Sequence, residues 1–232
     1  MKTLLLKFSG PLQSWGTKSN FNTRNTDPYP SKSAVIGLIA ASLGYRRDQE
    51  TELIKLNELD FAVRVDQPGN ICCDYHIVRV CDDNDKPKTT YVTNRYYIED
   101  GVFVVAISHR DESYIDMIDK GLKHPYFQPF MGRRSLPLPI DFILGKTDEG
   151  AIESLEKLDW KASKWYKVRN NDQKVSLEVY ADSKLISSKS LNLKKDRPIS
   201  FSFTERKFGF RYEAITIVEV DNKEEKNVHI KS

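Results

Sequence analysis

At 232 residues the chain is long enough for one large domain or two small ones with a sizeable core. Its 36 Lys and Arg against 33 Asp and Glu leave a formal charge of only +3, and 39% hydrophobic with 30% charged residues excludes a disordered chain. The longest nearly unbroken apolar run, Ala34 to Leu43, is too short to span a bilayer, and Met1 to Phe8 lacks the apolar stretch and cleavage site of a signal peptide. Three cysteines, Cys72, Cys73 and Cys81, make neither a disulfide framework nor a four-ligand zinc site. The expectation is a cytoplasmic protein with free thiols, no cofactor, no metal and no membrane.

In chain order, Thr3 to Phe8 reads as a buried strand closed by Gly10-Pro11. Leu12 to Pro30 is a polar loop broken by Trp15 and Phe21. Pro30-Ser31-Lys32-Ser33 signals a helix start, Ala34 to Leu43 is apolar nearly all round and therefore buried, and Gly44 is its stop. Phe61 to Val65 alternates as a strand. Asp74 to Val80 and Lys88 to Ile98 are β-branched and aromatic around the turn Asp82 to Pro87, which predicts a protruding hairpin. Val102 to Ser108 is a strand, Asp111 to Leu122 an amphipathic helix, His124 to Pro139 a loop and Ile140 to Leu144 a last strand. Without the hairpin the order is β-α-β-β-α-β, which fits an α+β, ferredoxin-like body of the kind used by RNA-recognition modules.

Beyond Gly145 the sequence predicts a short helix over Asp148 to Leu158. Strands are predicted over Lys174–Tyr180, Lys184–Leu191, Ile199–Phe203 and Ala214–Val220, with a frayed charged tail after Asp221. Residues 146–232 are either a small β-rich region of their own or an extension of the body over 1–145.

Charge is unevenly spread. Lys2, Lys7, Lys18, Arg24, Lys32, Arg46 and Arg47 face one acid, Asp27, before Asp48, and Lys120 to Ile140 holds no acid. Local basic excess on a nearly neutral chain points to a polyanion site, or simply to a solvated face. The start of a buried helix at Ser31, Lys32 and Ser33 offers free N–H groups, two hydroxyls and a cation, the recipe for holding a phosphate, or an ordinary cap with Lys32 exposed. The loop before it adds Gln13, Lys18, Arg24 and Trp15, the last a stacking platform or a core plug. Gly132-Arg133-Arg134-Ser135 sets two planar guanidiniums beside a flexible glycine. The hairpin stem carries Tyr75, His76, Arg79 and Arg95.

Signatures of catalysis are scarce: no Walker loop, paired GxGxxG, HExxH or nucleophile elbow occurs. None of His76, His109, His124 and His229 stands at metal-ligand spacing with another. Lys123-His124 either offers metal-free RNA cleavage, with His as acid or base and Lys against the phosphorane, or only contacts phosphate or solvent.

Gly10-Pro11-Leu12-Gln13-Ser14-Trp15-Gly16, then Pro30 to Leu38, Ala40-Ala41 and Leu43-Gly44, strongly resemble the N-terminal signature of the Cas five family of CRISPR proteins. Asp74-Tyr75-His76, Arg95-Tyr96-Tyr97 and Pro125-Tyr126 leading into Gly132 to Leu138 are similar to the type I-E branch. The resemblance implies an RNA-recognition-like body with a hairpin thumb at about 74–97 and a smaller C-terminal part. It also implies a non-catalytic subunit that grips the 5′ handle of CRISPR RNA in the Cascade surveillance complex. The partners would be CasA, CasB, CasC, CasE and, through the complex, target DNA. Type I-C relatives process precursor CRISPR RNA themselves, so an endoribonuclease using Lys123 and His124 stands as the alternative, and a generic RNA-recognition module as a third.

Overall fold

The computed structural model describes residues 1–20, 22–170, 172–188, 190–202 and 204–222. Phe21, Phe203, His229 and the charged tail therefore lie outside the described residues. The strands are β1 (Lys2–Ser9), β2 (Leu12–Gln13), β3 (Thr23–Arg24), β4 (Asp60–Gln67), β5 (Asn70–Cys81), β6 (Pro87–Glu99), β7 (Val102–His109), β8 (Ile143–Thr147), β9 (Lys174–Asp182), β10 (Leu191–Phe201) and β11 (Arg206–Asp221). The helices are α1 (Lys32–Ser42), α2 (Glu50–Leu56), α3 (Glu112–Lys123), α4 (Ala151–Lys157) and α5 (Lys164–Arg169).

The main sheet runs β10-β11-β9-β4-β7-β1-β8, antiparallel throughout. Leu4, Leu6 and Phe8 point to one face, where they meet Ile36 and Ile39 of α1 and Ile115 and Ile118 of α3. Leu5 points to the other, with Val104, Ala106, Leu155 of α4 and Trp160. Both faces of β7 are covered, which is why Val102 to Ser108 reads as a continuous apolar run rather than an alternating one.

The helix ends follow local chemistry. Asp111 caps α3 by accepting from Ser113 N–H, with Glu112 in its first turn and Lys120 and Lys123 in its last. At the end of α1, Gly44 takes φ +80°; its N–H reaches Ala41 O and Tyr45 N–H reaches Ala40 O, a Schellman close.

Several boundaries differ from expectation. The last strand of the β-α-β-β-α-β set is Ile143–Thr147 rather than Ile140 to Leu144. The prolines at 137 and 139 lack amide donors, Phe142 N–H closes a turn on Pro139 O, and Ile140 is turned fully outward. Among the described residues no strand fills 184–190: a 3-10 turn, Ser183–Leu185, follows β9, and β10 begins only at Leu191. α2 and α5 are two helices beyond those the sequence predicts. β9 pairs directly with β4, so β9, β10 and β11 lengthen the sheet of the N-terminal half.

The hairpin of β5 and β6 is inserted between β4 and β7, which pair with each other beneath it. It is longer at its root than expected, with Asn70 opposite Glu99. It belongs to a second sheet, β2-β6-β3 with β5 on β6.

Candidate nucleic-acid interface

The opening loop clasps the root of the hairpin. Leu12 and Gln13 pair antiparallel with Glu99 and Ile98, and Thr23 and Arg24 pair parallel with Asn94 and Arg95. Two residues read as RNA contacts do the clasping from inside. Gln13 is fully buried, donates to Gly101 O at 2.7 Å and accepts from Trp15 Nε1 at 3.0 Å. Trp15 is 1% exposed and packs edge-on against Phe8 at 5.1 Å. The stacking role expected of Trp15, and any RNA contact by Gln13, are thereby corrected: both side chains are satisfied within the core.

A second loop closes onto the first. Ser14 N–H donates to Met131 O at 3.3 Å. Gly132 follows at φ +84°, where a Cβ would stand 1.7 Å from Ser14 O. Only glycine fits so close an approach. That turn delivers Arg133 to the hairpin root. Its Nη2 donates to Arg24 O at 3.1 Å and Tyr96 O at 3.0 Å, and its guanidinium lies 4.0 Å from the Tyr97 ring centroid. One side chain thus joins the opening loop, the hairpin and the arginine loop. Arg133 Nη1 and Arg95 Nε are buried with no hydrogen-bond partner among the described residues. A buried guanidinium donor without an acceptor is costly, and an anionic oxygen is the group that relieves it.

The register sorts the stem candidates by face, because residues directly opposite share one. Asp74 with Arg95 and His76 with Thr93 lie on the Tyr97 face, as does Arg24 beside Arg95. His76 Nε2 is 2.5 Å from Asp74 Oδ2. Tyr75 with Asn94 and Arg79 with Thr90 lie on the opposite face. Lys18, Arg24, Arg134 and Ser135 are exposed. The candidate site therefore gathers Arg24, Arg95 and Arg133 at the root with His76 above them. Tyr75 and Arg79 face the other way. Tyr97, the ring under Arg133, is one of the stem tyrosines that the sequence offers, in the run Arg95-Tyr96-Tyr97, and Cys72 stands opposite it.

The leading turn of α1 belongs to a different structure. Ser31 is buried, Ser33 is half-buried and its hydroxyl lies 3.4 Å from that of Ser31, and Lys32 is 5% exposed. Lys32 Nζ donates to Asp182 Oδ2 and Leu59 O, each at 2.8 Å, while its backbone N–H donates to Asp196 Oδ2 at 2.9 Å. The anion at this helix start is the protein's own Asp196. Arg211 clamps the same Asp196 at 2.7 and 3.0 Å and reaches Asp182 and Glu213, and Tyr29 donates to Glu213 at 2.7 Å. Burial depresses the Lys32 pKa, against the pull of Asp182. Burial also opposes the Arg211 charge, but its bonded carboxylates prevail and hold it firmly protonated. The phosphate cradle expected of Ser31, Lys32 and Ser33 is corrected: the position is filled from within.

Lys123 is ion-paired to Asp119 at 2.8 Å on the last turn of α3, and Asp119 also holds Lys146 at 3.2 Å. His124 is the exposed residue that ends the helix. Among the described residues no group of three His, Cys, Asp or Glu side chains could hold a metal ion. No described helix is long and apolar enough to cross a membrane.

A two-face α/β body whose inserted hairpin is clasped by the N-terminal loop has counterparts among known proteins. The family model for CRISPR-associated protein (Cas_Cas5) matches residues 3–212, and the chain belongs to this family. Among curated proteins it is 33% identical over 156 residues to the CRISPR system Cascade subunit CasD of Escherichia coli (strain K12), covering 61% of this chain and 70% of that one. Among solved structures, a chain of a CRISPR RNA-guided surveillance complex superposes with a TM-score of 0.77 at 30% identity, covering 94% of this chain and 91% of that one. A second, described as a Cas protein, gives 0.67 at 28%, covering 93% and 94%.

Proposed function

We propose that this chain is a non-catalytic RNA-gripping subunit of a Cascade surveillance complex, holding the 5′ handle of CRISPR RNA at the hairpin root. The observation that carries the reading is the convergence there of Arg24, Arg95 and Arg133, with two buried guanidinium donors unsatisfied. A bent single strand needs fixed phosphate donors and aromatic faces, and the root supplies both. Its partners are the guide RNA and the other subunits of such a complex: CasA, CasB, CasC and CasE. The strand order β8-β1-β7-β4, with α1 and α3 on one face, supports a ferredoxin-like body, and the hairpin supports a thumb.

The test is reconstitution with CRISPR repeat RNA. The full chain should bind the repeat's handle segment and leave it intact. Arg133→Ala should weaken binding by roughly 10- to 150-fold, the worth of a charge-assisted hydrogen-bond set. Specific, EDTA-resistant cleavage abolished by His124→Ala would overturn the non-catalytic reading in favour of an endoribonuclease.

A further inference from the structure

We infer that α5 and the cleft beside it form a second contact for single-stranded RNA, in which Trp165 stacks on a base. The proposal rests on the RNA-gripping reading above and adds a contact where β4 enters the hairpin root. The segment from Lys161 to Asn170 holds Lys161, Lys164, Lys167 and Arg169 and no acid. Trp165 is 55% exposed, an unusual state for the largest side chain in a small protein. Arg169 stands four residues on, hence on the same helical side, and is also exposed.

The platform is held rigidly. Trp160 Nε1 donates to Asp66 O at 2.7 Å, and Lys161 N–H donates to Asp66 Oδ2 at 2.6 Å. The Ser163 amide and hydroxyl donate to Gln67 Oε1 at 3.1 and 2.6 Å. Asp66 and Gln67 end β4, the strand that feeds the hairpin, so α5 is fastened to the hairpin root. At its far end Asn222 Nδ2 donates to Asn170 O at 2.7 Å. A stacking surface must be fixed before the base arrives if the contact is not to be lost to ordering entropy.

Beside Trp165 lies a cleft of about 210 Å³ walled by Gly10, Gln67, Asp100 and Gly101. Gln67 is already satisfied, donating to Asp100 O at 2.6 Å, so it serves as wall. The lining of the cleft is mostly apolar, so it suits the face of a base, while the exposed Arg169 outside it suits the backbone. The cleft adjoins the first interface: Asp100 N–H donates to Pro11 O, and Gln13 donates to Gly101 O.

The intrinsic fluorescence of the full chain tests this cleanly, because Trp15 and Trp160 are each 1% exposed and Trp165 alone of the three is open. Titration with single-stranded oligoadenylate, alongside anisotropy of the same labelled oligonucleotide, should quench emission saturably with a matching midpoint. Trp165→Ala should weaken binding roughly 5- to 150-fold, and Trp165→Phe should restore most of it. Arg169→Ala should lower the log–log salt slope by about 0.7. Binding by anisotropy with no quench, and equal affinity in Trp165→Ala, would overturn this inference and leave the Arg133 interface standing. No anisotropy change at all would overturn this inference, while the Arg133 reading stands or falls on the handle segment of the repeat RNA. Equal quenching by oligoglutamate would reduce the patch to an unspecific anion surface and overturn it too.

Discussion

The hairpin root and the leading turn of α1 are both basic in sequence, yet they use their charge in opposite ways. At the root, Arg133 spends its donors on main-chain carbonyls and keeps Nη1 unpaired. At the turn, Lys32 meets two carboxylates, Asp182 through its side chain and Asp196 through its backbone. Carbonyls orient a cation without neutralising it, whereas carboxylates cancel it. A cation is open to a polyanion only where the fold brings it the first kind of partner. The turn serves the fold instead, tying β9 and β10 to the start of α1.

The largest effect should come from breaking the closed region. Lys32→Glu sets a third carboxylate against Asp182 and Asp196 and should cost about 3–5 kcal/mol in urea unfolding, the range for losing one partner of a buried ion pair. Lys32→Met should cost less, because Asp182 keeps Arg211 at 3.2 Å. Unchanged stability together with a shallower salt dependence of RNA binding would mean that Lys32 faces RNA after all.

Much of this was legible in the sequence. The strand and helix order of the first half, the hairpin and the arginine loop follow from period, turn chemistry and a local excess of charge. Trp15 and Lys32 were ambiguous because their neighbours in sequence do not decide burial. The acids that close the α1 turn lie at 182 and 196, and nothing near residue 32 signals them. The α5 segment carries the same signal as 120–140, because 161–170 is also free of acids and holds four cations. The stem was harder: alternation alone parts Tyr75 and Arg79 from His76, but only the register sets Arg95 on the His76 face.

The open region should break next, and at its hinge. Gly132→Ala puts a Cβ into Ser14 O at a positive φ, so the two loops must part. Backbone strain alone should cost about 1–3 kcal/mol, and because Arg133 is mispositioned, RNA affinity should fall more steeply than stability. Equal affinity would show that the Gly132 turn does not place Arg133. A finer test is Arg133→Lys. It keeps the charge but not the planar fork that spans Arg24 O, Tyr96 O and the Tyr97 ring. The variant should retain the salt slope while losing most of the affinity that Arg133→Ala loses. Full affinity would reduce Arg133 to a point charge.

The smallest effect concerns Asp27, which lies where the two regions meet. Burial raises its pKa, the charge of Asp196 adds to the rise, and a hydrogen bond from Thr17 with the charges of Lys194 and Lys18 opposes it. Its Oδ2 is buried without a partner among the described residues. With the folded pKa above the unfolded value near 3.8, the folded state binds the proton more tightly. The ionised carboxylate therefore costs stability at neutral pH, and that cost fades as pH falls through the folded pKa. Asn does not titrate, so Asp27→Asn should be slightly more stable than the parent at neutral pH, and the gap should narrow near about pH 4. The opposite ordering at neutral pH, closing in acid, would mean that Lys194 and Lys18 hold the carboxylate favourably. Asp27 would then belong to the balanced network around Asp196 rather than to the loop that stays open beside Arg133.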